Sequence, residues 1–84
     1  MTKDDVIFIT GATAGFGEAC ARKFAKDGAR LILLGRRKER LDKLAGELGC
    51  PTHLLPLDVR DRAKLEQAVR DLPKSFKNVT LLLN

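Results

Sequence analysis

Three closely spaced glycines and two adjacent arginines are the residues of this chain whose types and spacing could do chemistry. Gly11, Gly15 and Gly17 fall in the stretch VIFITGATAGFGEACARKF, after a run of β-formers and before a helix-like pattern. At such a junction the first N–H groups of the helix point back toward the strand ends, and a phosphate can reach them only where no side chain intervenes. Gly11 permits a tight turn out of the strand, Gly15 lets the backbone approach a pyrophosphate, and Gly17 lets the helix pack closely on the sheet. A merely flexible strand-to-helix loop is the plain alternative, and it accounts for one glycine better than for three so placed. Arg36 and Arg37 follow the second apolar run. An NAD-binding chain usually carries there, roughly twenty residues past the glycines, an acid that accepts from the ribose hydroxyls. Two guanidinium groups suit a 2′-phosphate instead, through paired charge-assisted hydrogen bonds. The competing reading is a solvated basic stretch, since Lys38, Arg40 and Lys43 continue the run.

Positioning these residues requires alternating strands and helices. Four apolar runs are the strand candidates: residues 6–10, 30–34, 53–57 and 79–83. Between them the helical period predicts a helix over 15–27 that presents Phe16, Ala19, Cys20 and Phe24 on one face, with Gly28 as its stop signal. A second covers 38–48, with Leu41, Leu44, Ala45 and Leu48 in one stripe and Gly49 at its end. A third is capped by Asp61, carries Leu65, Ala68, Val69 and Leu72, and closes at Pro73. This βαβαβαβ order implies a parallel sheet with right-handed crossovers, the opening of a doubly wound α/β fold. Pro56 cannot donate to a ladder, which suits an edge strand, and in the order 3-2-1-4 the third strand is an edge. The first two helices then share one face and the third covers the other alone, so that face and the fourth strand are left under-covered.

Composition narrows the function classes. The 84 residues make one domain with no internal linker or repeat, 44% hydrophobic and 32% charged, which is folded-protein composition rather than disorder. Sixteen Lys and Arg against eleven Asp and Glu give a net charge of +5, a sign compatible with nucleic acid, anionic membrane or a phosphorylated small molecule. No recognition motif or aromatic platform accompanies the charge, which ranks nucleic acid last. The apolar runs are far shorter than a membrane span and MTKDD lacks the regions of a secretory signal, so the expectation is a cytoplasmic chain without a membrane partner. Cys20 and Cys50 have neither a CxxC nor a zinc spacing and read as reduced thiols, with no metal site. His53 reads as structural.

The glycine spacing refines the phosphate reading. Gly11, Gly15 and Gly17 form GxxxGxG, which is neither the common GxGxxG nor a P-loop. With Thr10 they match TGxxxGxG, and here the sequence resembles the classical short-chain dehydrogenase/reductase family. GRRKERL, LDVRDRAKLE and the closing LLLN extend the likeness along nearly the whole chain, particularly to NADP-dependent members that oxidise serine or 3-hydroxy acids. The resemblance implies a Rossmann-type fold over residues 1–84, the amino-terminal portion of a longer enzyme that stops before the catalytic segment.

Carried over residue by residue, the resemblance places Gly11, Ala12, Thr13, Ala14, Gly15, Phe16 and Gly17 around the cofactor phosphates. Thr13 offers a hydroxyl, while Phe16 is equally readable as a core contact and Thr13 as a plain loop residue. Asp58 and Val59 match the family's adenine contact, with a local turn or cap as the alternative for Asp58. Asn84 matches the first residue of an NNAG motif, and Thr80 replaces an acid common before the fourth strand, which implies a weakened local contact. The family's catalytic Ser, Tyr and Lys have no counterpart here, and the chain contains no Tyr. The implied function is the cofactor-binding part of an NADP-dependent oxidoreductase that moves hydride between nicotinamide and a small alcohol, hydroxy acid or carbonyl compound. The 84 residues would be inactive alone, and the complete enzyme a homo-oligomer. A non-catalytic NADP(H)-binding sensor or assembly module is the alternative.

Overall fold

The structure is a computed structural model that describes residues 3–83; Asn84, assigned to the cofactor on resemblance, lies outside the described residues. Strands β1 (Val6–Thr10), β2 (Arg30–Gly35), β3 (Thr52–Pro56) and β4 (Leu81–Leu83) form one sheet in the order β3-β2-β1-β4, every pairing parallel. Helices α1 (Gly15–Lys26), α2 (Lys38–Leu48) and α3 (Arg62–Arg70) provide the crossovers, and a 3-10 turn at Lys74–Phe76 precedes β4. The expected order and the edge position of Pro56 are both realised.

Strict alternation along β1 and β2 splits the core in two. Ile7, Ile9, Leu31 and Leu33 face α1 and α2, packing with Ala21, Leu41 and Leu44. Val6, Phe8, Ile32 and Leu34 point the other way, toward Leu55, Leu72 and Phe76, with Leu65 and Ala68 of α3 packed against them. These strands are apolar on both sides because a parallel sheet must be covered on both faces. His53 is part of this second layer, its ring 5.7 Å from that of Phe76, a structural placement.

Several boundaries and faces differ from the sequence reading. The fully buried residues of α1 are Gly17 and Ala21; of the expected face Cys20 and Phe24 pack against the core, whereas Ala19 is exposed and Phe16 is 74% exposed. That removes its reading as a core contact. Gly17 decides the rotation, because a helix docks closest where it has no side chain. Its close neighbour is also not the sheet itself but the carbonyl of Gly11 in the preceding turn. The helix α1 ends one residue early at Lys26, β2 extends to Gly35, and β3 is shifted by one residue to Thr52–Pro56. Helix α3 buries no residue fully, and Val69 is exposed. Strand β4 keeps only Leu81–Leu83, because the chain before it turns through the 3-10 segment that buries Phe76. Thr80 does not weaken its surroundings: its hydroxyl accepts from the Val6 N–H at 3.1 Å, and its own N–H donates to the Val6 carbonyl at 2.7 Å.

The under-covered face is visible as an open apolar groove of about 610 Å³ beside β4, lined by Phe8, Val69, Val79 and Leu82 among others. Leu82 is 57% exposed there. Among the described residues no helix is long and apolar enough to cross a membrane.

Candidate cofactor site

The turn after β1 is built by its own backbone. Gly11 takes φ +62°, a left-handed conformation that L side chains rarely adopt, and its carbonyl accepts from the Ala14 N–H at 3.0 Å. The Ala12 N–H donates to the Leu34 carbonyl at 3.0 Å, so the loop continues the sheet before it breaks away. Helix α1 then opens at Ala14, whose side chain offers no cap, and the Glu18 N–H donates to the Ala14 carbonyl at 2.8 Å. The N–H groups from Gly15 to Gly17 are thus left without a side-chain acceptor at the positive end of the helix dipole. A Cβ at Gly15 would meet nothing within 4 Å, so the approach to those donors is open. This is an anion cradle of the kind that receives a pyrophosphate.

The other candidate residues lie at the same end of the sheet. Thr13 stands beside the last residue of β2, its hydroxyl 3.6 Å from where a Cβ on Gly35 would lie. Arg36 and Arg37 follow directly and are exposed. Asp58 lies in the loop just after β3, near enough to Arg36 for that charge to help hold its carboxyl ionised. In a parallel sheet the carboxyl ends of the strands converge on one edge, and the strand order reverses between β1 and β4, the place where doubly wound folds bind ligands. Phe16 projects into solvent there, beside a small cavity of about 170 Å³ also lined by Gly11, Ala14 and Leu83.

Asp58 has a local partner that sequence reasoning missed. Arg60 spends three N–H groups on it: the backbone N–H donates to Oδ1 at 2.9 Å, Nη2 donates to Oδ2 at 2.8 Å, and Nε is shared between both oxygens at 3.2 Å. Side-chain bonding from Arg60 is the main reason that the Asp58 carboxyl titrates at about 2. The turn role offered as an alternative is therefore present. A carboxylate carries about four lone-pair sites, so the turn does not exhaust its capacity to accept. The signal was the D-x-R spacing at the end of a strand. Val59, between them, is exposed.

The family model for short chain dehydrogenase matches residues 5–84. The chain belongs to the short-chain dehydrogenase family. Among its relatives, the NADP-dependent 3-hydroxy acid dehydrogenase YdfG of Shigella flexneri is 44% identical over 79 residues, covering 94% of this chain and 32% of that protein. A sulfoacetaldehyde reductase of Chromohalobacter salexigens is 51% identical over 82 residues, covering 95% and 32%. The closed form of a serine dehydrogenase complexed with NADP+ superposes with a TM-score of 0.86 at 44% identity, over 92% of this chain and 31% of that one. This short-chain dehydrogenase chain spans about a third of the length of the curated relatives it matches.

Proposed function

We propose that the chain binds NADP(H) and forms the cofactor-binding part of an oxidoreductase acting on a small alcohol, hydroxy acid or carbonyl compound. The observation that carries this reading is the uncapped start of α1 under the Gly11 turn, with Arg36 and Arg37 exposed at the end of β2 next to it. The backbone N–H groups of Gly15 to Gly17 hold the pyrophosphate, the two arginines hold the 2′-phosphate, and Asp58 accepts from the adenine amino group. Thr13 adds a hydroxyl on the loop side. The relatives named for NADP support the choice of cofactor.

When bound, the cofactor would donate hydride to a carbonyl substrate from its reduced form or accept hydride from an alcohol in its oxidised form. The part these residues play is positional: they would hold the adenosine and diphosphate of the cofactor. With no tyrosine in the 84 residues, the phenol that the family uses to exchange the substrate proton is not among them, and we place proton transfer outside this stretch. Homo-oligomeric assembly and a cytoplasmic setting belong to the same reading.

Titration of the chain with NADPH and NADH, followed by incubation with a panel of aldehydes and ketones, tests it. Tighter binding of NADPH without turnover is the expected result. Saturable carbonyl reduction that persists through repurification would overturn the division of labour, and equal or absent binding would overturn the cofactor assignment.

A further inference from the structure

The cations near the end of β2 are not equally available. Lys38 is paired with Asp42 at 3.0 Å. Arg22 on α1 is held by Glu18 at 3.3 Å and by Glu47 of α2. The Glu47 carboxyl is kept ionised first by its hydrogen bond from Arg22, with the Lys43 charge adding to this from further away. Arg40 is different: among the described residues its guanidinium has no carboxylate partner, although it lines the same cavity of about 360 Å³ between α1 and α2. Thr13 lines that cavity too, from the phosphate loop. Thr13 also abuts Gly35 at the end of β2, the residue that precedes Arg36.

Local geometry ties Arg40 to the two arginines already considered. Arg37 is the cap residue of α2, and the Arg40 N–H donates to its carbonyl at 3.1 Å, so the two stand one turn apart on the same helix start. Residues three apart on a helix are neighbours, and their side chains can converge on one dianion. Two carboxylates, Glu18 and Glu47, share this lining, and Arg22 engages both, which leaves the uncommitted guanidinium of Arg40 and the hydroxyl of Thr13 to meet a single phosphate group.

We infer that Arg40 is a third guanidinium for the 2′-phosphate of the cofactor, reaching it from the α2 side of the cavity opposite Thr13. The inference rests on the NADP reading above and extends it, since it assigns a specificity-determining role to a residue otherwise read as part of a solvated basic face. Arg36 and Arg37 close the site from the strand end, and Arg40 from the helix. A planar fork donates in pairs to phosphate oxygens, which an ammonium at the same place cannot do.

The test uses the whole chain and two small ligands, adenosine 2′,5′-bisphosphate and adenosine 5′-monophosphate, which differ only in the 2′-phosphate. Binding is measured by calorimetry for the unmodified chain, Arg40→Gln, Arg40→Lys and the double substitution Arg36→Gln with Arg37→Gln, with far-UV circular dichroism checking each fold. Arg40 is exposed, so neither of its variants disturbs packing. The expected result is about a tenfold loss of bisphosphate affinity in Arg40→Gln, a partial loss in Arg40→Lys, and unchanged monophosphate affinity in both. If the double variant loses the bisphosphate and Arg40→Gln does not, the inference fails while the NADP reading stands. Arg40→Lys equal to the unmodified chain reduces Arg40 to a diffuse charge and also overturns it. If the unmodified chain does not prefer the bisphosphate, the NADP reading fails and the inference with it.

Discussion

Gly17 lies directly against Gly11: a Cβ built at position 17 would overlap the Gly11 carbonyl oxygen and crowd the Cα of Ala12. The first turn of α1 is thereby clamped onto the phosphate loop, and the obstacle is backbone that cannot swing aside. Gly17→Ala is expected to destabilise the chain by about 1–3 kcal/mol, the usual cost of forced overpacking. Gly46, in the interior of α2, has nothing within 4 Å of the same added atom. There the substitution to alanine should stabilise by about 0.5–1 kcal/mol through helix propensity. Urea unfolding of both variants checks the pair; the same sign for both would show that the clamp is not what holds position 17 to glycine.

Arg36→Ala and Arg37→Ala should each weaken NADPH far more than NADH. A charge-assisted hydrogen bond contributes about 1.5–3 kcal/mol, so loss of one corresponds to roughly ten- to 150-fold in NADPH affinity. The difference between cofactors should shrink as salt is raised, since exposed charges are screened. Equal losses for both cofactors would locate the effect in the pyrophosphate cradle, and no loss for either would make the arginines solvated surface.

Acid should act on the turn after β3 in a defined window. The Asp58 carboxyl is lowered from 3.8 to about 2, first by the Arg60 side chain and next by the Arg60 backbone N–H. A depressed folded-state value means that the ionised turn stabilises the fold above about pH 4 and stops doing so as the pH falls through about 2. Arg60 is solvent-exposed and Asp58 partly so, which keeps the effect local. Carboxyl-carbon NMR should show Asp58 titrating near 2 in the unmodified chain and moving up toward its ordinary value in Arg60→Gln; an unshifted titration in that variant would remove Arg60 as the cause.

The groove beside β4 should bind apolar probes. Its lining combines Phe8, Val69, Val79 and Leu82, of which the last three are exposed, and contiguous apolar surface of this kind is uncommon on a soluble monomer. Fluorescence of an anilinonaphthalene dye is expected to rise on mixing, and Leu82→Ser should reduce it. A chain that leaves the dye dark would show that the groove is closed in solution.

How much of this was readable beforehand depended on the range of the forces involved. The order of elements, the parallel sheet and the edge position of Pro56 follow from short-range rules: alternation within Val6–Thr10 and Arg30–Gly35, the helical stripe of Leu41 and Leu44, and the missing donor of proline. The glycine turn was equally legible, because a left-handed φ at Gly11 and a side-chain-free approach at Gly15 are demands that the backbone makes on its own residue. Sequence periodicity set Cys20 and Phe24 of α1 against the core, where they pack, but assigned Phe16 and Ala19 to that face wrongly. Phe16 and Ala19 fit the helical repeat as well as Gly17 and Ala21 do, and only the docking of α1 against the Gly11 turn chose between the two sides. The same holds for the charged residues. Composition shows five more cations than acids but says nothing about pairing, and it is the packing of α1 against α2 that joins Arg22 to Glu47 and, among the described residues, leaves Arg40 without a carboxylate partner on the cavity that Thr13 also lines. Local chemistry is written in neighbouring residues; which side chains meet across the fold is decided by the tertiary structure, because those contacts exist only after distant segments have been brought together.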